Sequence, residues 1–141
     1  LPTIPAYVPD TTGGATGRFP LQLVTPHSKL RSNSCLHANP WLQALEPHAV
    51  WLNPLDALAR GISSGDSVIV SSPQGEIALP AKVTERIMPG VVCVYQGTWY
   101  APDERGIDRG GCANTLTAQV LSPSGGYTTH TTWVQVQEEG S

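Results

Sequence analysis

Charge is what this sequence most conspicuously lacks. Asp, Glu, Lys and Arg make up 13 % of its 141 residues, about half the share of an average soluble domain, which argues against a helical bundle or coiled coil laced with surface ion pairs. The formal net charge is −3, so there is no global basic field of the kind a general nucleic-acid binder needs, although a local basic patch is not excluded. No run of about 18 apolar residues is present, and the N-terminus lacks the charged-then-apolar layout of a signal peptide. Direct membrane insertion is not expected, and the chain reads as soluble as it stands. It opens at Leu1 without a methionine, which fits a piece of something longer whose address signal lies elsewhere. Cysteine is limited to Cys35, Cys93 and Cys112, never spaced C-x-x-C, so neither a disulfide framework nor a zinc knuckle is signalled. The length suits one ordinary domain and is short for a typical two-domain enzyme.

Glycine and proline are abundant, at 14 and 13 residues, and point to many short elements joined by tight turns. Residues 1–18 are rich in Pro, Thr and Gly without apolar periodicity and read as an extended arm or linker. Alternation of Phe19, Leu21 and Leu23 predicts a first strand over 19–24. Residues 25–39 are polar, with no period of either kind, and read as a long donor-rich loop. Asn39-Pro40 can cap a helical turn, and Asn53-Pro54, with Asp56 in the first turn and Gly61 beyond the end, predicts a short helix over 54–60. A hairpin follows, with strands over 67–71 and 76–83 around Ser72-Pro73-Gln74-Gly75. The apolar run 91–95 suits a strand buried on both sides. Residues 98–114 form a second long loop, 132–137 the last strand, and 138–141 a frayed tail. Six or so short strands with little helix favour a closed or nearly closed β-barrel, because closure removes exposed edges.

Two of the eight Lys and Arg residues fall in the first loop, where Thr25, His27, Ser28, Lys29, Arg31, Ser32, Asn33 and Ser34 form a dense set of donors. Guanidinium and ammonium groups with hydroxyls around them suit an anionic ligand such as a phosphate; the same composition also describes a solvated surface loop. In the second loop, Gly110 and Gly111 allow close backbone approach and Asn114 can donate and accept at the edge of a heterocycle. That pattern is weak alone. His27, Cys35 and His37 match no metal-site spacing, no G-x-S-x-G elbow occurs, and Asp103 with Glu104 is explained by a charged loop. His130 among threonines reads as a turn residue. Trp41, Trp51, Trp99 and Trp133 are expected mostly as core anchors, Trp99-Tyr100 at a loop mouth being the exception.

In their order, FPLQLVTPHSKLRSNS (19–34), VWLNPLDA (50–57), RGISSGDSV (60–68), AKVTERIMPGV (81–91), GTWYAPD (97–103), GGCANTLT (110–117) and HTTWVQV (130–136) resemble the C-terminal dinucleotide-binding domain of the molybdopterin oxidoreductases, most of all dimethyl sulfoxide reductase catalytic subunits. The resemblance covers roughly residues 19–137. It implies a six-stranded double-psi β-barrel, mainly β with a few short helices and long polar loops. It also implies binding of bis(molybdopterin guanine dinucleotide) with molybdenum, shared with domains absent here. By resemblance, the loop Thr25, Pro26, His27, Ser28, Lys29, Arg31, Ser32, Asn33 and Ser34 wraps the cofactor, and Trp99, Tyr100, Asn114 and His130 lie near it. Pro26 departs from relatives that often carry a glycine and a bulky residue there. In this family a protein ligand to molybdenum, serine in the dimethyl sulfoxide reductase branch, comes from another domain, so this segment is expected to be inactive alone.

The resemblance further implies a parent chain that reduces S- or N-oxides in anaerobic respiration, with room for an iron–sulfur cluster outside this segment. Its partners would be the remaining domains of the catalytic subunit, an iron–sulfur electron-transfer subunit and a membrane anchor subunit. The location implied is the periplasmic side of the bacterial inner membrane, reached by export as a folded holoenzyme. An alternative is a double-psi barrel used for protein or peptide recognition, as in the N-terminal domains of some AAA ATPases. A self-processing decarboxylase of related fold needs a Gly-Ser bond in the barrel, whereas Gly140-Ser141 is terminal and Ser64-Gly65 is reversed.

Overall fold

A computed structural model describes residues 17–140, together with Ile4 and Ala6. The arm expected over 1–18 thus lies almost wholly outside the described residues. Six strands, β1 (Leu21–Val24), β2 (Val50–Leu52), β3 (Ser67–Ser71), β4 (Glu76–Val83), β5 (Val91–Cys93) and β6 (Thr132–Glu138), close into a barrel in the order β1-β5-β2-β4-β3-β6. The consecutive strands β1 and β2 lie on either side of β5, and β4 and β5 on either side of β2. These two interlocked ψ connections make the barrel double-psi. β1 pairs parallel to β5, and β2 parallel to β4; β6 closes the sheet antiparallel to both β1 and β3.

The period of two sorts side chains into an interior and an outer layer. Leu21, Leu23, Val50, Leu52, Val68, Val70, Ile77, Leu79, Val92, Val134 and Val136 fill the barrel. From the same strands, Trp51 and Cys93 point outward and pack with Ile87, while Ile69 and Ala78 pack with Ile107. Trp51 is sheathed by Tyr95, with ring centroids 5.4 Å apart, and by the Lys82 ammonium 4.3 Å from its ring centre, a cation–π contact that keeps its outer face from water. The 91–95 run is therefore buried on both sides as its composition suggested.

Both Asn-Pro starts are helices. Asn39 Oδ1 accepts from the backbone N–H of Trp41 and Leu42 at the head of α1 (Pro40–Leu45). Asn53 Oδ1 accepts from Leu55 N–H at the head of α2 (Pro54–Leu58), and its amide donates to the Ile87 carbonyl at 2.8 Å. Asp56 accepts from Gly90 N–H at 2.7 Å, so α2 is tied to the turn before β5. α2 stops at Leu58, earlier than the expected 60, because Gly61 takes φ +67° and the Ile62 N–H turns back to the Ala57 carbonyl.

Three expectations are corrected. β2 was not recognised as a strand: three residues are too few for alternation to register. Trp41, expected in the core, is 69 % exposed, because α1 buries none of its residues. The tail expected to fray from 138 is held for two more residues. β6 runs through Glu138, the Glu139 N–H donates to the Ser67 carbonyl, and the Glu139 carboxylate takes the Ser67 hydroxyl and Arg109, each at 2.6 Å.

Candidate functional site

The direction of the strands decides where the loops emerge. Because β1 and β5 are parallel, the segments that follow them, 25–39 and 94–114, leave the barrel at one end. β6 runs antiparallel to β1, with Leu23 opposite Thr132, so residues 128–131 arrive at that same end. Backbone pairing continues beyond the strands: Val94 N–H donates to the Val24 carbonyl and Gln96 N–H to the Pro26 carbonyl, each at 3.1 Å, and His27 bridges Gln96 in parallel.

Glycines permit the closest approaches. Gly97 has φ +92°, and a Cβ there would lie 2.0 Å from the Asn33 carbonyl oxygen. One at Gly110 would lie 1.9 Å from the Trp99 carbonyl oxygen. The first loop therefore lies against 96–99, which lies against 110–111, and no side chain fits between them. Trp99 stacks at a tilt on His37, centroids 5.7 Å apart, and its indole N–H donates to the Ser34 carbonyl. Thr98 Oγ1 donates to the Gly111 carbonyl at 2.8 Å, as does His48 Nε2 at 3.0 Å.

Asp108 organises the second loop. It is 0 % exposed, and both carboxylate oxygens are saturated. Oδ1 accepts from the N–H groups of Ala101 and Gly110 at 2.9 Å, and Oδ2 from Cys112 N–H at 2.7 Å and Thr115 Oγ1 at 3.0 Å. Its backbone also pairs with Glu76 and Ala78 at β4. The carboxylate thus fixes the 3-10 turn Ala113–Thr115, which carries Asn114, to the barrel. Asp103, the acid noticed in the sequence, is a half-buried partner of Arg109 at 2.8 Å.

At this end lies an open groove of about 770 Å³, lined among others by Gln96, Asn114, Thr117, Gln119, Tyr127 and Thr129. Its lining contains no charged side chain, only amides, hydroxyls and apolar groups. His27 stands at its edge, with Gln96 Nε2 at 2.8 Å and 3.0 Å from its two ring nitrogens. His130 Nδ1 accepts from Thr25 N–H at 3.2 Å, and the His130 carbonyl accepts from the Gln22 amide.

A second cavity, of about 280 Å³, lies on the far side of the first loop against α1, lined by Ser28, Arg31, His37, Glu46 and His48 among others. Ser28 is buried and its hydroxyl donates to the Glu46 carboxylate. Arg31 gives Nη2 to the Gln96 carbonyl at 3.4 Å but leaves Nε without a partner; burial lowers its pKa, against the pull of Glu46. Burial also takes His48 down to about 4, and its Nδ1 is likewise unpartnered.

Of the residues singled out in the sequence, Asn114 lines the groove, His27 meets the groove residue Gln96, and Thr25 pairs with His130. Ser28 and Arg31 turn toward the second cavity. Pro26, Lys29, Ser32, Asn33, Ser34, Trp99 and Tyr100 are exposed along the loops, Pro26, Asn33, Ser34 and Trp99 being held by the backbone contacts above. Gln96, Asp108 and His48 were missed. Gln96 follows an apolar strand and belongs to no motif, His48 owes its importance to Gly111, 63 residues away, and the Asp108 carboxylate to nearby donors that gather around it only when the loop folds.

Residues 21–133 match the family described as the molydopterin dinucleotide binding domain. The chain belongs to that family. It is 45 % identical over 122 residues to dimethyl sulfoxide reductase DmsA of Escherichia coli (strain K12), covering 86 % of this chain and 15 % of that one. It is 39 % identical over 118 residues to the dimethyl sulfoxide/trimethylamine N-oxide reductase of Cereibacter sphaeroides, covering 79 % and 14 %. This dinucleotide-binding domain thus spans about 15 % of the length of such curated relatives. Among solved structures, acetylene hydratase from Pelobacter acetylenicus superposes with a TM-score of 0.72 over 85 % of this chain and 18 % of that one, at 20 % identity; a likeness at that identity speaks to the fold.

Proposed function

We propose that this domain is the C-terminal cofactor grip of a molybdenum oxidoreductase that reduces S- or N-oxides, and that its loop-bearing rim binds bis(molybdopterin guanine dinucleotide). The observation that carries this reading is a neutral polar groove lined by Gln96, Asn114, Thr117, Gln119, Tyr127 and Thr129, at the barrel end where the segments 25–39, 94–114 and 128–131 emerge. The residues present fit such a group. Amides and hydroxyls of Gln96, Asn114, Thr117, Gln119 and Thr129 match the donor and acceptor edges of pterin and guanine rings and the oxygens of a pyrophosphate. Arg31, with its Nη2 on the carbonyl of the groove residue Gln96 and its Nε buried without a partner, supplies a charged donor beside the groove.

In this reading residues 19–137 are the binding unit. Thr25, His27, Ser28, Lys29, Arg31, Ser32, Asn33, Ser34, Trp99, Tyr100, Asn114 and His130 orient the cofactor and keep water from it. When bound, the cofactor would supply molybdenum for oxygen-atom and electron transfer. The rest of the parent chain supplies the remaining walls; an iron–sulfur subunit, a membrane anchor and a periplasmic location are inferred from kinship with the reductases.

The test uses the full-length parent purified with Lys29→Ala plus Arg31→Ala. Loss of two charge-assisted contacts, each on the order of 1.5–3 kcal/mol, is expected to reduce molybdenum and guanine content at least ten-fold. Unchanged content of both would refute those contacts.

A further inference from the structure

Gln96 occupies the junction of the site. Its backbone N–H donates to the Pro26 carbonyl at 3.1 Å, its carbonyl accepts from Arg31 Nη2 at 3.4 Å, and its side chain both lines the groove beside Asn114 and meets the His27 ring at 2.8 Å. The neighbouring Gly97 leaves no room for a side chain against Asn33, so the backbone of residue 96 is held from both sides. The polar end of the residue is thereby presented to the groove with little freedom.

We propose that Gln96 is a positioning residue for the bound dinucleotide, acting through His27. The Gln96 amide nitrogen lies 2.8 Å and 3.0 Å from the two ring nitrogens of His27 and so fixes the ring against it. The contact holds the imidazole at the groove's edge, where the exposed ring can meet a bound ligand. Without Gln96 the exposed ring is free to rotate, and ligand binding must bear the cost of ordering it. This inference rests on the dinucleotide reading given above and adds to it a residue whose role is orientation.

The experiment is a double-mutant cycle in the full-length parent, with Gln96→Met, His27→Ala and the pair. The readout is guanine nucleotide released by acid from purified protein after extended dialysis, alongside the thermal unfolding midpoint. Gln96→Met is expected to lower retained nucleotide about five-fold, the equivalent of one ordinary hydrogen bond. In the His27→Ala background the same change should alter it less than two-fold. Effects that multiply across the pair, or a Gln96→Met protein as fully loaded as wild type, would overturn the proposal. Should the methionine variant fail to fold, Gln96→Ala, which keeps the backbone bonds to Pro26 and Arg31, takes its place with the same expected outcomes. Wild-type parent that releases no guanine nucleotide would refute the dinucleotide reading itself, a result distinct from failure of the cycle.

Discussion

At the scale of single residues, His48 shows how tertiary burial makes an ordinary side chain consequential. Its Nε2–H is committed to the Gly111 carbonyl, so the neutral ring carries its lone pair on a buried Nδ1, and desolvation holds the group to about 4. The folded pKa lies below the unfolded value near 6.5, so between those two values the unfolded chain binds the proton and the native one does not. Stability from this source is complete above about pH 6.5, falls as the pH drops toward 4 and levels off below, the whole loss being on the order of 3 kcal/mol. Urea unfolding at pH 7.5, 5.5 and 4.5 should show a smaller fall on acidification for His48→Gln than for wild type; parallel curves would show that His48 is not responsible. Nothing in the sequence marked this residue. The acids noticed were Asp103 and Glu104, whereas the carboxylate that orders the loop is Asp108, whose four donors lie on residues that only the folded loop brings around it.

At the scale of elements, legibility followed locality. Asn39-Pro40 and Asn53-Pro54 announce their helices because a cap, a preset proline φ and the first turn lie within four residues. The β3–β4 hairpin was legible for the same reason, with its strands facing each other across a short turn. β2 was not, since its identity depends on pairing Val50 with Ala81 and Trp51 with Cys93, partners far away in sequence. The same contrast governs glycines. Gly61 and Gly97 both have positive φ, but a Cβ at Gly61 meets nothing within 4 Å, while one at Gly97 runs into the Asn33 carbonyl. Gly61→Ala is expected to cost about 1 kcal/mol of backbone strain. Gly97→Ala should cost roughly 3 kcal/mol or more, since the first loop must also move away. Denaturant midpoints together with limited proteolysis of 25–39 check this: faster cleavage there in Gly97→Ala alone is the expected result, and equal effects of the two variants would contradict the packing described.

At the scale of the whole molecule, closure of the barrel leaves no edge strand from which the sheet could open. Cys93 lies on β5 between β1 and β2, packed under Trp51 and Ile87, and burial pushes its thiol up to about 11. Cys35 is exposed on the first loop. At pH 8, iodoacetamide should therefore alkylate Cys35 in the native protein, and Cys93 only at the rate of global unfolding, with its modification tracking the denaturant transition. Rapid native labelling of Cys93 would mean that β5 opens locally. The sequence by itself determined the turns, the caps, the strand-like alternation, the surplus of neutral donors and the order of motifs that marks the family, because each of these is written in neighbouring residues. Only the tertiary structure decided that the first loop, the Asn114 turn and the His130 segment share one rim, and that Arg31 lines a second cavity while reaching the Gln96 carbonyl. The reason is that strand direction is a property of the closed sheet: β1 and β5 send their loops out together because closure pairs them parallel, and no local stretch of chain carries that information.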